Sequence, residues 1–206
     1  MKKLISLLTS IFLTGCTVVG IRSSEEPKYQ VINDYGSIQI RQYPALVVAQ
    51  TEINADYKTS SNQGFQRLAG YIFGNNKAQQ KLAMTAPVIQ EQQAETIAMT
   101  APVIQQKSAN STWLMTFVLP NEYSLLTAPI PLDPTVKITE IQSKKVAVLH
   151  YSGSLSEQGI KEKSEELDVW LKKHGYSIIS APQSAAYDPP WTLPFLRRNE
   201  IHIEIK

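Results

Sequence analysis

The 206-residue chain has a single cysteine, Cys16. One thiol excludes an internal disulfide, a paired redox motif and a thiolate zinc cluster. Histidine is nearly as scarce, with only His150, His174 and His202. There is no Gly-x-Ser-x-Gly, no His-Glu-x-x-His, no Walker glycine loop and no Gly-x-Gly-x-x-Gly. No nucleophile and base stand in a recognisable set, so the chain reads as a binding protein and not as an enzyme. Charge of one sign is also missing. Twenty basic and 18 acidic side chains leave +2, which is no nucleic-acid footprint. The apolar run from Leu4 to Leu13 is far short of the roughly 20 residues that cross a bilayer. What remains is a globular balance, 43% hydrophobic and 18% charged, in a length suited to one domain.

The first residues read as an address. Lys2 and Lys3 precede the short apolar run, in the order of a secretory signal. Leu13-Thr14-Gly15-Cys16 resembles the bacterial lipobox, in which the cysteine is acylated and becomes the first mature residue. The resemblance implies a signal peptide over 1–15, with Cys16 as the palmitate-type lipid attachment point. Thr17, rather than Asp, follows the cysteine. That favours the outer membrane, facing the periplasm of a bacterial envelope. Residues 16–27 lack periodicity and read as lipidated cysteine plus tether. Without residues 1–15 the basic and acidic side chains both number 18, so the small positive charge belongs to the signal.

The domain expected over 28–206 is mostly period two. Tyr29 to Asn33 and Ser37 to Tyr43 alternate on either side of an Asp34-Tyr35-Gly36 turn. A third strand is expected over 45–53. Phe65, Leu68, Ala69, Ile72 and Phe73 then fall at helical spacing, which predicts a helix from about Ser60 to Phe73, capped near Ser61 or Asn62 and ended by Gly74. Strands are expected at 97–105, 112–120, 136–141, 145–151, 176–187 and 200–205. A second helix is expected over 156–173, with Ser154 and Glu157 as a capping box and Ile160, Leu167, Trp170 and Leu171 as its apolar stripe. In the last strand Ile201, Ile203 and Ile205 face in, while His202, Glu204 and Lys206 face out. Two similar halves of strands around one helix indicate an α+β fold, a curled and mostly antiparallel sheet with a concavity between helix and sheet.

Two features stand apart. Ala-Met-Thr-Ala-Pro-Val-Ile-Gln occurs at 83–90 and again at 98–105, which places Met84 and Met99 in equivalent positions. Methionine suits both a core and a soft pocket lining, and it can ligate haem iron. The stretch Tyr187-Asp188-Pro189-Pro190-Trp191 leads through Phe195 to Arg197 and Arg198. An aromatic loop beside arginines suits a flat apolar ligand with carboxylates, or else caps the barrel while the arginines pair with Glu200. His150, at a strand end, is the best imidazole candidate. The acidic cluster from Glu162 to Asp168 is a solvated helix face. No pair of carboxylates has a convincing buried setting.

Tyr187-Asp188-Pro189-Pro190 followed by Arg197-Arg198-Asn199-Glu200, together with Met-Thr-Ala-Pro-Val at 84–88 and 99–103, resembles the SOUL haem-binding protein family. The similarity extends over about 28–206. It implies a distorted antiparallel barrel of two pseudo-symmetric halves, similar to the effector-binding domains of multidrug-responsive regulators. It also implies non-covalent binding of haem (heme) or another tetrapyrrole in an apolar groove by the first helix. On that resemblance Arg67, Leu68 and Tyr71 line the groove, with Met99 and Val103 from the motif and Arg197 from the C-terminal loop. No histidine precedes His150, so the axial histidine of one family branch has no counterpart. The function implied is an envelope lipoprotein that buffers or transfers haem. The alternative is another amphipathic small molecule or an envelope protein as partner, without physiological haem.

Overall fold

The computed structural model of the protein describes residues 24–78, 94–108 and 112–206. Cys16, Met84 and the first copy of the repeat lie outside these residues.

Nine strands form one sheet. They include β1 (Gln30–Asp34), β2 (Ile38–Tyr43), β3 (Leu46–Ile53), β5 (Val103–Lys107) and β6 (Trp113–Val118). The others are β8 (Val136–Ile141), β9 (Lys144–Tyr151), β10 (Gln183–Ala186) and β11 (Asn199–Ile205). Their order is β1-β2-β9-β11-β10-β5-β6-β3-β8, and the ladders are antiparallel. A second, two-residue ladder joins β4 (Asn76–Lys77) to β7 (Ile130–Pro131). The sheet curls into a half-barrel with one helix packed on the outside of each half. The first reversal is the expected turn: Gly36 has φ +81°, and its N–H donates to Asp34 Oδ1 at 2.9 Å.

Helix α1 (Tyr57–Ile72) covers β3, β6 and β8. It begins earlier than the hydroxyl-rich stretch suggests. Asp56 is the cap and accepts from the Thr59 N–H at 3.0 Å. Tyr57, now inside the helix, stands edge-on to Trp113. The buried stripe is Ser60, Gly64, Leu68, Tyr71 and Ile72. Gly64 allows this close approach, because a Cβ there would lie 2.9 Å from Ile53 Cδ1. Helix α2 (Glu157–Lys173) buries Leu167 and Leu171 against Ile38, Ile40, Ala147, Leu149, Ile201 and Ile203. Its cap is Ser156, which accepts from Gly159 N–H. Glycine holds the third helical position, so the expected glutamate arm of a capping box is absent.

Two expected strands shorten. Before β5, backbone donors go elsewhere: Ile97 N–H to the Ile72 carbonyl and Ala101 N–H to Glu25. A segment whose donors serve a helix end and the N-terminal chain cannot also form a ladder. Pro182 interrupts 176–187, leaving a bridge at Ile178 and the four residues of β10. The stretch read as tether is already docked at its end, because Glu25 bridges to Thr100 and Pro27 is buried.

Both faces of the sheet are buried along strands such as β2, β9 and β11, while β1 is exposed along its length. The outer faces pack on the helices. The inner face carries Tyr43, Leu46, Val48, Val118, Val146 and Val148. Beside them a cavity of about 40 Å³ is lined by Tyr43, Ile104, Thr116, Lys144 and His202.

Candidate functional site

The residues expected to line a groove divide into three places. Leu68 and Tyr71 are 0% exposed. They sit in the core with Ile53, Met115 and Phe117, and the Tyr71 hydroxyl donates to the Pro129 carbonyl at 2.9 Å. Met99 and Val103 are half-buried and pack on that same cluster. The structure therefore brings these four together, with Leu68 and Tyr71 beneath the surface and not in a groove.

Arg67 lies on the far flank of α1. One guanidinium nitrogen donates to Thr51 Oγ1 at 3.3 Å and to the Glu52 carbonyl at 3.2 Å. This places it by a polar cleft of about 200 Å³ lined by Thr51, Glu52, Thr135 and Lys137. Two residues along a helix is a rotation of about 200°. Arg67 is thus turned away from Phe65, which stands edge-on to Phe117 with ring centroids 5.6 Å apart.

The Phe65 flank was not singled out as a site by its sequence, and it is the apolar one. Phe65 is 41% exposed and Phe73 63% exposed. They are eight residues apart with half-buried Ala69 between them, so all three follow one helix edge. The chain entering β5 runs past this end of the helix, as the Ile97–Ile72 backbone bond shows. Phe65, Phe73, Met99 and Val103 thus belong to one apolar side of the molecule. The helical period marks Phe65 and Phe73 as apolar, but it cannot tell the rim of a stripe from its centre.

Arg197 is elsewhere, in the loop between β10 and β11. Its Nε donates to the Thr192 carbonyl at 2.7 Å, and its Nη2 donates to Pro190. It clamps its own loop around a 3-10 turn, Pro194–Leu196. Arg198 takes the pairing role. It donates to Glu200 Oε1 at 2.9 Å, forks onto Glu26 at 3.0 and 3.1 Å, and lies 3.9 Å over the Tyr187 ring.

Glu200 is the centre of a buried network on the inner sheet face. Its carboxylate is 0% exposed and accepts from Arg41 Nη1 at 3.1 Å, Tyr187 Oη at 2.8 Å and His202 Nε2 at 2.6 Å. His150 Nδ1 lies 3.0 Å from its other oxygen. Arg41 donates to His150 Nε2, which fixes the tautomer: Nδ1 carries the hydrogen and donates to Glu200. The expectation that His202 faces solvent fails because this sheet face is covered too. Burial opposes ionisation of Glu200, but the bonds from His150 and His202 and the Arg41 charge outweigh it and hold the carboxyl far below its usual range. Two guanidiniums and two carboxylates balance within the network. The His150 and His202 imidazoles are committed to Glu200. His174 is stacked on Trp170 with its Nδ1 against that residue's carbonyl.

Burial pushes the His202 imidazole down from 6.5, against the raising effect of Glu200; Arg41 and Lys144, also near it, push it down further. The folded state thus binds this proton later than the unfolded chain. Stability is full above about pH 6.5 and falls as pH drops below it, by up to ~1.4 kcal/mol per unit. Glu200 adds its own loss only below about 4.5, its unfolded value. Urea unfolding between pH 7.5 and pH 5 checks this: we expect a declining midpoint that His202→Gln flattens.

The pattern of the SOUL heme-binding protein family matches residues 24–96 and 89–204. The two matches overlap over 89–96, from the end of the first copy of the repeat into the segment before the second. Heme-binding protein 2 of Homo sapiens is 28% identical over 168 residues, 81% of this chain and 77% of that protein. Its Mus musculus counterpart is 27% identical over the same share of each chain. Among solved structures, the EcmrR C-terminal domain superposes with a TM-score of 0.57 at 12% identity, covering 86% of this chain and 98% of that one. That likeness is one of fold: the curled antiparallel sheet with two helices. The family match spans almost all the described residues, and by it the chain belongs to the SOUL heme-binding protein family.

Proposed function

We propose that the protein binds haem or a related tetrapyrrole on the apolar flank of α1, from an envelope membrane to which Cys16 anchors it. Family membership supports the ligand class. The observation that carries the site is the exposed pair Phe65 and Phe73 on the side of the core where half-buried Met99 and Val103 also pack. A macrocycle offers a flat apolar face, and aromatic edges with a thioether suit it. The described cavities of about 40 and 200 Å³ are smaller than the ~300 Å³ at which ligand pockets begin. The tetrapyrrole therefore lies on the flank and does not enter the sheet. His150, His202 and His174 are engaged elsewhere, so on this flank Met99 is the described side chain that would be available to ligate iron. When bound, the tetrapyrrole is cargo to be buffered or transferred, and the chain's part is to hold and release it.

Titration of the protein with hemin should shift the Soret band saturably. Phe65→Asp should weaken the affinity by at least about tenfold, the effect of ~1.4 kcal/mol. Arg67→Glu, on the other flank, should leave it within about twofold, under ~0.5 kcal/mol. A featureless, nonsaturating titration of the wild type would count against haem and favour a different amphipathic ligand.

The lipobox resemblance at Leu13–Cys16 supports the anchor. Several acyl chains hold a protein where a single chain would not. Cells fed a palmitate analogue should label the protein. Cys16→Ser should abolish both the label and recovery with the membrane pellet, and label surviving that change would refute the anchor.

A further inference from the structure

The loop between β10 and β11 presents large apolar side chains to solvent without packing them. Trp191 and Phe195 are each 69% exposed, and Leu193 is 39% exposed. The loop is also firmly built. Thr192 N–H bonds to Pro189, Pro194 accepts from Gly153 N–H at 2.8 Å, and Arg197 ties the loop to the carbonyls of Thr192 and Pro190. Thr192 itself is buried beneath it. A rigid platform that displays tryptophan and phenylalanine is costly in water and serves a surface that covers them.

The position of the N-terminal chain indicates which surface. Arg198, next to the clamp, forks onto Glu26. The N-terminal chain therefore joins the domain beside the root of this loop. Ten residues separate Glu26 from Cys16, a reach of at most ~36 Å. A bilayer holding Cys16 therefore lies within that reach of Glu26, at the root of the loop. Tryptophan and phenylalanine are side chains that settle at the headgroup boundary, and an anchored chain meets that boundary at high effective concentration.

We infer that Trp191, Leu193 and Phe195 form a membrane-docking tip that seats the domain on the bilayer to which Cys16 tethers it. This inference rests on the anchor reading above. Docking by this tip orients the domain relative to the membrane and stops it tumbling on its tether.

The test uses the full lipidated protein in vesicles of phosphatidylethanolamine and phosphatidylglycerol, three parts to one. Some vesicles carry lipids brominated near the headgroup end of the acyl chain. Bromine should quench a tryptophan component that is absent from Trp191→Phe. Phe195→Ser should reduce that quenching without altering far-ultraviolet dichroism. If Trp191 emission is the same in brominated and plain vesicles, the docking inference is wrong. That result includes the case in which the tip is covered by a protein partner. Palmitate labelling at Cys16 reports separately on the anchor. Label without quenching defeats the tip alone. Quenching without label defeats the anchor and leaves the tip as a docking surface in its own right.

Discussion

Glu200→Ala should destabilise the fold by about 3–5 kcal/mol, the cost of leaving buried charges uncompensated. The carboxylate holds two guanidiniums, two imidazoles and the Tyr187 hydroxyl at one buried point. Removing it leaves Arg41, fully buried, facing Arg198 with no anion between them. His202 and Tyr187 lose the acceptor of their buried donors, each a further penalty. Glu200→Gln keeps the shape and one acceptor oxygen but not the charge, and should fall between the wild type and alanine. Since domains of this size are stable by ~5–15 kcal/mol in total, the alanine variant should sit near the edge of folding at 37 °C. Urea denaturation read by tryptophan fluorescence measures it. A loss under ~1 kcal/mol would mean that the buried network does not hold the fold together.

Leu68→Ala should cost ~2–5 kcal/mol, as a fully buried leucine in a close-packed core does. Its side chain shares a cluster with Ile53, Met115 and Phe117, where α1 closes over the sheet. Phe65→Ala, only a few residues away but on the rim, should cost under ~1 kcal/mol, the usual range for a partly exposed site. The two should exchange places in a hemin titration. Phe65→Ala weakens binding while the protein stays folded. Leu68→Ala, at a urea-free temperature where it is still folded, binds nearly as the wild type does. This pairing separates residues that build α1 from residues that α1 offers to a ligand. Equal hemin defects in the two variants would merge those roles and contradict the division made here.

The contrast explains what was legible before folding. The alternation in β2, β9 and β11 shows which residues meet a helix, and Ile38, Ile40, Ala147, Leu149, Ile201 and Ile203 do so. The opposite positions, Arg41, His150, Glu200 and His202, have the polarity of a solvent face. They are instead neutralised partners inside a curl that buries both faces. Period two alone does not separate those cases, because the partners are as far apart in sequence as 41 and 200. The Arg197-Arg198 pair shows the same limit. The two neighbours divide their work, one on loop carbonyls and one on Glu26 and Glu200. On α1 the apolar spacing was readable, yet the start at Asp56 and the rim position of Phe65 and Phe73 depend on where Met115, Phe117 and Trp113 lie. The family signature, by contrast, was plain in the doubled Met-Thr-Ala-Pro-Val and the C-terminal Arg-Arg-Asn-Glu.

The central claim is that a tetrapyrrole binds on the apolar flank of α1. Amide and methyl chemical shifts of the protein titrated with gallium protoporphyrin, a diamagnetic stand-in for haem, test it most directly. Saturable shifts are expected to concentrate on Phe65, Ala69, Phe73, Met99 and Val103, with Arg67 and the 191–196 loop little changed. Shifts centred on Arg67 and Thr51, or on Trp191 and Phe195, would contradict it.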